Sequence, residues 1–223
     1  MRVLLIAAGS GTRWNNYLGV PKHLAPVRGT TVLGRLVSQF QGVADVTVVG
    51  PPDDRYRYDG STLVCPAVRD ADADKFLSSR HLWNPDGPTL IVYGDIFLSW
   101  PARDLIVHHP DRLALFARWG RARLTGTPYG ECFAYRLPAT EHDRFEHALW
   151  DVDGWQREGL IDRSGGWETF QRLNGAGVDT VRRHRQTSGP CQFVDVNDWS
   201  DDFDWPKDYE RWRQARQAAG MPV

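Results

Sequence analysis

The chain has 223 residues, with 27 Lys plus Arg against 28 Asp plus Glu and a formal net charge of −1. That balance provides no global field for holding a nucleic acid or an anionic membrane, so any phosphate must be bound by local placement. At 41% hydrophobic and 25% charged residues, the chain is of ordinary globular composition and long enough for one α/β domain with a sizeable core.

Taken in order, the first apolar run, Val3 to Ala7, predicts a buried strand and ends in Gly9-Ser10-Gly11-Thr12-Arg13. The run is too short for the apolar region of a signal peptide, and no later stretch is long enough to span a bilayer, so a cytoplasmic protein without a membrane partner is expected. Val32-Leu33, Leu36-Val37 and Phe40 recur at helical spacing, and so do Phe76-Leu77, Arg80 and Trp83. Between and after them, Val46 to Val49, Thr62 to Val64, Thr89 to Tyr93, Leu113 to Ala117 and Cys132 to Tyr135 read as further strands. Strands alternating with helices in this way predict a mostly parallel sheet covered on both faces.

After Pro138 a polar, aromatic helical stretch runs to about Gly159. Ser164-Gly165-Gly166 and a second helical piece from Trp167 to Leu173 follow. A last strand, Gln192 to Val196, leads through an acidic loop into a helix from about Pro206. With no long linker and no internal repeat, the expected organisation is a single domain over 1–223, with an elaboration at about 138–190 lying over a ligand.

The loop after the first strand carries the strongest signal. Small residues and two glycines let backbone N–H groups approach a polyphosphate closely. The third glycine of a dinucleotide-binding turn would fall at Trp14, and no Gly-Lys-Ser/Thr follows, so neither the Rossmann fingerprint nor the Walker pattern is present. Arg13 follows the cradle at once and Lys22 nine residues on. Lysine is scarce, since Lys22, Lys75 and Lys207 are the three among 27 basic residues, and a compact ammonium therefore stands out wherever it occurs.

Ala-Ala-Gly-Ser-Gly-Thr-Arg, then Pro21-Lys22-His23-Leu24, Pro26-Val27, Gly29 and a helix near Thr31 resemble the signature of sugar-phosphate nucleotidyltransferases. The pattern is also similar to that of molybdenum cofactor guanylyltransferase-type and phosphocholine cytidylyltransferase-type enzymes. The resemblance implies a three-layer α/β/α sandwich, Rossmann-like and of the glycosyltransferase-A type. It implies transfer of a nucleoside monophosphate from a nucleoside triphosphate to a small phosphorylated acceptor, with Mg2+ as cofactor and pyrophosphate as leaving group. Carried over, Ala7, Ala8, Gly9, Ser10, Gly11 and Thr12 hold the nucleotide, while Arg13 and Lys22 act on the phosphates. Ser78, with Ser79 and Lys75, lies where the family places a helix start beside the nucleobase. His23 is a packed or solvent-facing residue outside the chemistry.

Magnesium needs carboxylates at strand ends. Asp95, closing Leu90-Ile91-Val92-Tyr93-Gly94-Asp95, is similar to the family's Gly-Asp motif. Asp195 in Val194-Asp195-Val196-Asn197-Asp198 resembles its late acidic segment, with Asn197 or Asp198 as assistants; the continuation Trp199-Ser200-Asp201-Asp202-Phe203-Asp204-Trp205 departs from the pattern as an insertion would, and its acids read equally as a solvated loop able to cap the last helix. Asp70, Asp72 and Asp74 begin like a calcium loop but lack its later Gly and Glu, and Asp151-Val152-Asp153 sits in a helical stretch; neither is expected to bind metal. Most of the ten Trp are expected in the core, with some free to line an acceptor pocket, and the three cysteines are expected as small buried hydrophobes. A glycosyltransferase on the same fold and a catalytically silent nucleotide-binding protein are the alternatives.

Overall fold

A computed structural model of the chain describes residues 1–65, 72–182 and 188–223, with the side chains of 72–74 and 182 left aside. The central sheet has seven strands: β1 (Arg2–Ile6), β4 (Asp45–Val49), β5 (Ser61–Val64), β6 (Thr89–Tyr93), β8 (Ala114–Arg118), β9 (Glu131–Leu137) and β10 (Gln192–Asp195). Two short ladders accompany it, β2 (Pro26–Val27) with β3 (Thr30–Thr31), and β7 (Ile96–Phe97) with β11 (Asp201–Asp202). The sheet order is β10-β8-β9-β6-β1-β4-β5. All its pairings are parallel except those of β9, which runs antiparallel to both β6 and β8.

Alternation along β1 builds the layers. Val3 and Leu5 face one core, which is closed by α1 (Val32–Phe40), α3 (Trp100–His108) and α7 (Pro206–Ala218); Leu4 and Ile6 face the other. That second core is covered by α2 (Asp72–Ser78), α4 (His142–Arg157) and α5 (Gly166–Leu173). The expected three-layer α/β/α sandwich with a mostly parallel sheet is therefore the fold. The segment expected as an elaboration supplies α4 and α5 to this second layer, and Val152, Ile161, Ala176 and Val181 form a smaller cluster behind them with α6 (Val178–Arg182). Helix α3 was not foreseen, although Ser99 caps it by accepting from Ala102 N at 3.1 Å and Pro101 sits in its first turn. Among the described residues no helix is long and apolar enough to cross a membrane.

Two expectations about packing are corrected. Only Trp14, Trp83 and Trp212 are core residues, while Trp100, Trp119, Trp150 and Trp205 are exposed. The other three are half-buried. The exposed rings find polar company instead, as where the Arg35 and Arg103 guanidiniums each lie 5.8 Å from the Trp100 ring. Of the cysteines only Cys191 is buried; Cys132 is half-buried and Cys65 exposed.

The acidic loop after β10 is part of the fold. β11 pairs antiparallel with β7, setting Asp202 opposite Ile96 and Asp201 opposite Phe97. Asp201 and Arg118 are both fully buried and bonded at 2.8 Å. Arg118 also donates to Ser200 O at 3.0 Å and Gly120 O at 3.3 Å, and Asp201 accepts from Thr127 Oγ1 at 2.7 Å and from Thr125 Oγ1. Removing one member of such a pair leaves a buried charge unanswered. Asp201→Ala is expected to cost about 3 to 5 kcal/mol in urea unfolding; a loss under about 1 kcal/mol would show that the pair does not hold β11 in place.

Candidate active site

The cradle is anchored by the residue that breaks the dinucleotide pattern. Gly11 takes a positive φ of 62°, open to glycine without strain, and its carbonyl accepts from Trp14 N at 3.0 Å and Asn15 N at 3.1 Å. Trp14 turns inward, 1% exposed, and its indole N–H donates to Val20 O at 2.8 Å. The chain then returns through a short 3₁₀ turn, Lys22–Leu24, which brings Lys22 to the cavity beside the loop. Directly after β6, Gly94 passes so close to β1 that a Cβ would lie 2.8 Å from Ile6 O. Any larger residue there would push Asp95 away from the sheet edge.

Three carboxylates meet at this point, with one oxygen each from Asp95, Asp202 and Asp204 lying within 4.8 Å of one another. Lys22 Nζ contacts Asp95 and lies 3.0 Å from Asp204 Oδ1, and Arg13 NH1 lies 2.6 Å from Asp204 Oδ2. Asp202 Oδ1 is buried without a hydrogen-bond partner. Burial would depress the Lys22 ammonium, but Asp95, Asp202 and Asp204 outweigh it and hold the pKa well above the ordinary lysine value. Burial alone would raise Asp95, yet Lys22 and His23 bring it down to about 2. Burial and the nearby Asp204 and Asp95 push Asp202 well above the usual carboxylate range. Glu131, at the start of β9, is raised in the same direction by burial and then by Asp204 and Asp201.

These groups line a cavity of ≈ 640 Å³ together with Gly9, Ser10, Gly11 and Thr12. Lys75 is buried on its wall, its Nζ 3.6 Å from where a Cβ on Gly9 would lie. The far wall comes from the segment expected to lie over the ligand, which contributes Arg163, Ser164, Gly165 and Glu168. Glu168 fixes this turn by accepting from Gly165 N at 3.0 Å and from Arg163 Nε at 3.1 Å, and Ser164 donates to Gln156 at 2.6 Å.

The structure brings together Gly9, Ser10, Gly11, Thr12, Arg13, Lys22 and Asp95, and separates the rest of the sequence-derived set. Ala7 is core and Ala8 half-buried, neither on the cavity wall. Ser78 also lies off that wall, its hydroxyl donating to Lys75 O at 3.1 Å. Asp195 is exposed on β10, an edge strand, and does not reach the carboxylate cluster. Asn197 accepts from Arg123 N, and Asp198 from Ser99 Oγ and Ser200 N, so both are used in tying loops. The carboxylates that converge on Asp95 are instead those of Asp202 and Asp204. Their signal was the alternation Asp201-Asp202-Phe203-Asp204, in which Asp201 and Phe203 are fully buried and the two between and after them face the cavity. Asp151 and Asp153 pair with Arg172 and Arg157 at 2.6 and 2.8 Å. Asp70, with the side chains of Asp72 and Asp74, lies outside the described residues.

Residues 3–81 match the MobA-like NTP transferase domain. The bifunctional protein GlmU of Burkholderia thailandensis is 30% identical over 109 residues, which cover 44% of this chain and 23% of that protein. GlmU of Burkholderia mallei is 29% identical over the same share. The aligned stretch thus spans about a quarter of the length of the curated relatives it matches. Among solved structures, a Bacillus anthracis protein described as a glucose-1-phosphate thymidylyltransferase superposes with TM-score 0.59 at 13% identity, covering 97% of this chain and 95% of that one. The CTP:phosphocholine cytidylyltransferase of Streptococcus pneumoniae superposes with TM-score 0.57 at 12% identity, covering 96% and 97%. At such identities these two show the fold. The chain shares the α/β/α fold of these two proteins. The family resemblance carried by Leu5 to Thr31 is borne out, in sequence over residues 3–81 and in fold over nearly the whole chain.

His23 was set outside the chemistry, and it is fully buried beside this site, its Nδ1 3.3 Å from Tyr56 Oη. Burial first, then the Lys22 and Lys75 charges, bring its pKa down to about 4 against 6.5 when unfolded. The unfolded chain therefore takes up a proton that the folded chain refuses, and stability falls as pH drops from about 6.5 toward 4. His23→Gln is expected to remove about 2 to 3 kcal/mol of the stability difference between pH 7 and 4.5 in urea titrations. An unchanged difference would mean that His23 is charged in the folded protein.

Proposed function

We propose that the protein transfers a nucleoside monophosphate from a nucleoside triphosphate to a small phosphorylated acceptor and releases pyrophosphate. One observation carries this reading: Lys22 and three converging carboxylates lie beside a glycine-rich backbone cradle, in one cavity. The donor set fits magnesium, since it is made of hard carboxylate oxygens and includes the buried, unpartnered Asp202 Oδ1. Asp95, Asp202 and Asp204 would hold the ion, which would offset charge on the triphosphate and the leaving pyrophosphate. The amides of Gly9 to Thr12 bind phosphate oxygens, and Arg13 steadies the departing group. Lys22 stabilises charge at the phosphorus under attack. The acceptor phosphate is itself the nucleophile, so catalysis is positioning and charge stabilisation, and no protein nucleophile is required.

Arg13 and Lys22 beside the cradle suit a leaving pyrophosphate, which favours this reaction over glycosyl transfer from a finished sugar nucleotide. The silent-binder alternative rested on a lost second acid, and Asp202 with Asp204, converging on Asp95, would supply that acid.

With Mg2+, a nucleoside triphosphate panel and phosphorylated acceptors, the protein is expected to release pyrophosphate, to stop on chelation and to resume when Mg2+ is restored. Lys22→Ala, Asp95→Ala and Asp202→Asn should each lower kcat/KM by about 100-fold or more, whereas Asp195→Ala should stay within about twofold. Consumption of a sugar nucleotide without any pyrophosphate release would replace the reaction. Full activity in any of the first three variants would remove that residue from it.

A further inference from the structure

Arginines of this chain commonly meet a carboxylate. On α3 Arg103 pairs with Asp104 at 2.6 Å, and on α7 Arg211 pairs with Asp208 and Arg213 with Glu210 at 2.9 and 3.3 Å. Three neighbouring arginines do not. Arg28 in the turn between β2 and β3, Arg35 on α1 and Arg216 on α7 form no ion pair among the described residues. Arg35 and Arg216 rest on one ring, their guanidinium carbons 4.7 and 5.1 Å from the centre of Phe97. Burial first, then the charges of Arg28 and Arg216, bring the Arg35 guanidinium down to about 10, and burial with Arg28 lowers Arg216 as well. Among the described residues no carboxylate offsets this repulsion.

Their donors are largely unused. Arg28 is exposed and makes no hydrogen bond among the described residues. Arg35 makes one long bond, from NH2 to Leu98 O at 3.4 Å, and its Nε is buried without a partner. Arg216 gives Nε and NH2 to Pro222 O at 3.0 and 2.9 Å and keeps NH1. Arg28 also takes a φ of 50° ahead of Gly29 at 79°, in a two-residue turn that Asn-Gly or Gly-Gly would fill without strain. A long cation kept in that conformation is a sign of use. Trp100, 47% exposed, stands beside Arg35, and none of these residues lines the cavity described above. Like charges gathered without an acid are unfavourable until an anion binds. A carboxylate presents one edge, which a single fork occupies. A phosphate group carries close to two negative charges on oxygens spread over a tetrahedron, which suits forks arriving from a turn and two helices.

We infer that Arg28, Arg35 and Arg216 form a binding site for the phosphate dianion of a small molecule, separate from the cavity of the proposed reaction and with Trp100 at its edge. Free inorganic phosphate and a phosphate monoester share this chemistry, and the exposed indole gives the ring of an ester a face to lie on. The site stands whatever reaction the cavity performs.

The test is isothermal titration calorimetry on the full chain, without nucleotide or Mg2+ and at constant ionic strength, with inorganic phosphate, phenyl phosphate and acetate. The wild type is compared with Arg28→Asn, Arg35→Gln and Arg13→Gln. Arg28 is exposed and Asn accepts its positive φ, so Arg28→Asn removes the charge and keeps the fold. A phosphate-binding phase is expected that Arg28→Asn and Arg35→Gln each weaken about tenfold, and that Arg13→Gln leaves within about twofold. Acetate should bind about tenfold or more weakly than phosphate. Phenyl phosphate binding tighter than inorganic phosphate identifies the ligand as an ester, and equal affinity identifies it as the free ion; both uphold the site. A titration in which Arg13→Gln weakens every phase, or Arg28→Asn weakens none, places the phosphate in the cavity and overturns the inference while leaving the transferase reading untouched. Acetate binding as tightly as phosphate, or no binding of phosphate at all, also overturns it.

Discussion

A single buried ammonium sets the terms for the site. Lys22 is buried, and a lysine in that position would lose its charge unless carboxylates surrounded it. Asp95, Asp202 and Asp204 do so, and in return Lys22 keeps Asp95 ionised. The arrangement is over-supplied with negative charge, because one lysine and the half-exposed Arg13 face three acids. Such a surplus is unfavourable in isolation and favourable as soon as a divalent cation arrives. In the proposed reaction a metal ion and Lys22 would share the carboxylates, leaving the ammonium able to turn toward a phosphate.

The acids come from two remote parts of the chain, and what makes them meet is backbone pairing. Asp95 follows β6, while Asp202 lies on β11 and Asp204 two residues beyond it; the β7–β11 ladder joins the two regions through Ile96 and Phe97. Strand alternation then divides the labour within four residues. Asp201 and Phe203 point inward, to Arg118 and to the aromatic core of Tyr209 and Trp212, and Asp202 and Asp204 point to the cavity. The buried Asp201–Arg118 pair therefore has a positional meaning, since it holds the register that presents the other two acids. Replacing it by apolar residues of similar volume could preserve stability while losing that register.

Legibility in the sequence followed the range of the physics. Buried β strands announce themselves locally, and β1, β4, β5, β6, β8, β9 and β10 lie within a few residues of the apolar runs that predict them. The direction of β9 depends on which edges the neighbouring strands leave open, and no local pattern carries that information. The cradle and Lys22 were legible because backbone geometry and a contiguous motif fix both. Asp195 was misplaced by its position: it ends a strand, as Asp95 follows one, but that strand is an edge far from the cradle. The acids that do converge sit in the stretch that departs from the family pattern, where a run of acids reads like a solvated loop, and only the long-range pairing with β7 makes it part of the fold.

The composition holds one more physical clue. An Arg-rich chain keeps lysine at only three positions; two of them, Lys22 and Lys75, are buried on the cavity wall, and the third rests on the ring of Trp205, which lines the same cavity. A guanidinium spreads its charge over a planar fork whose donors point in fixed directions, as Arg118 divides its own among Asp201, Ser200 and Gly120. Where three carboxylates must converge within 4.8 Å, a flat fork would satisfy one and hold the others apart, whereas a tetrahedral ammonium offers three donors around one point. A compact charge also leaves its place more readily to a metal ion or a phosphate, because its bonds are not locked to one plane. The near-zero net charge thus conceals a cavity in which opposite charges are concentrated, and in the proposed reaction the lysines stand where those charges would be exchanged.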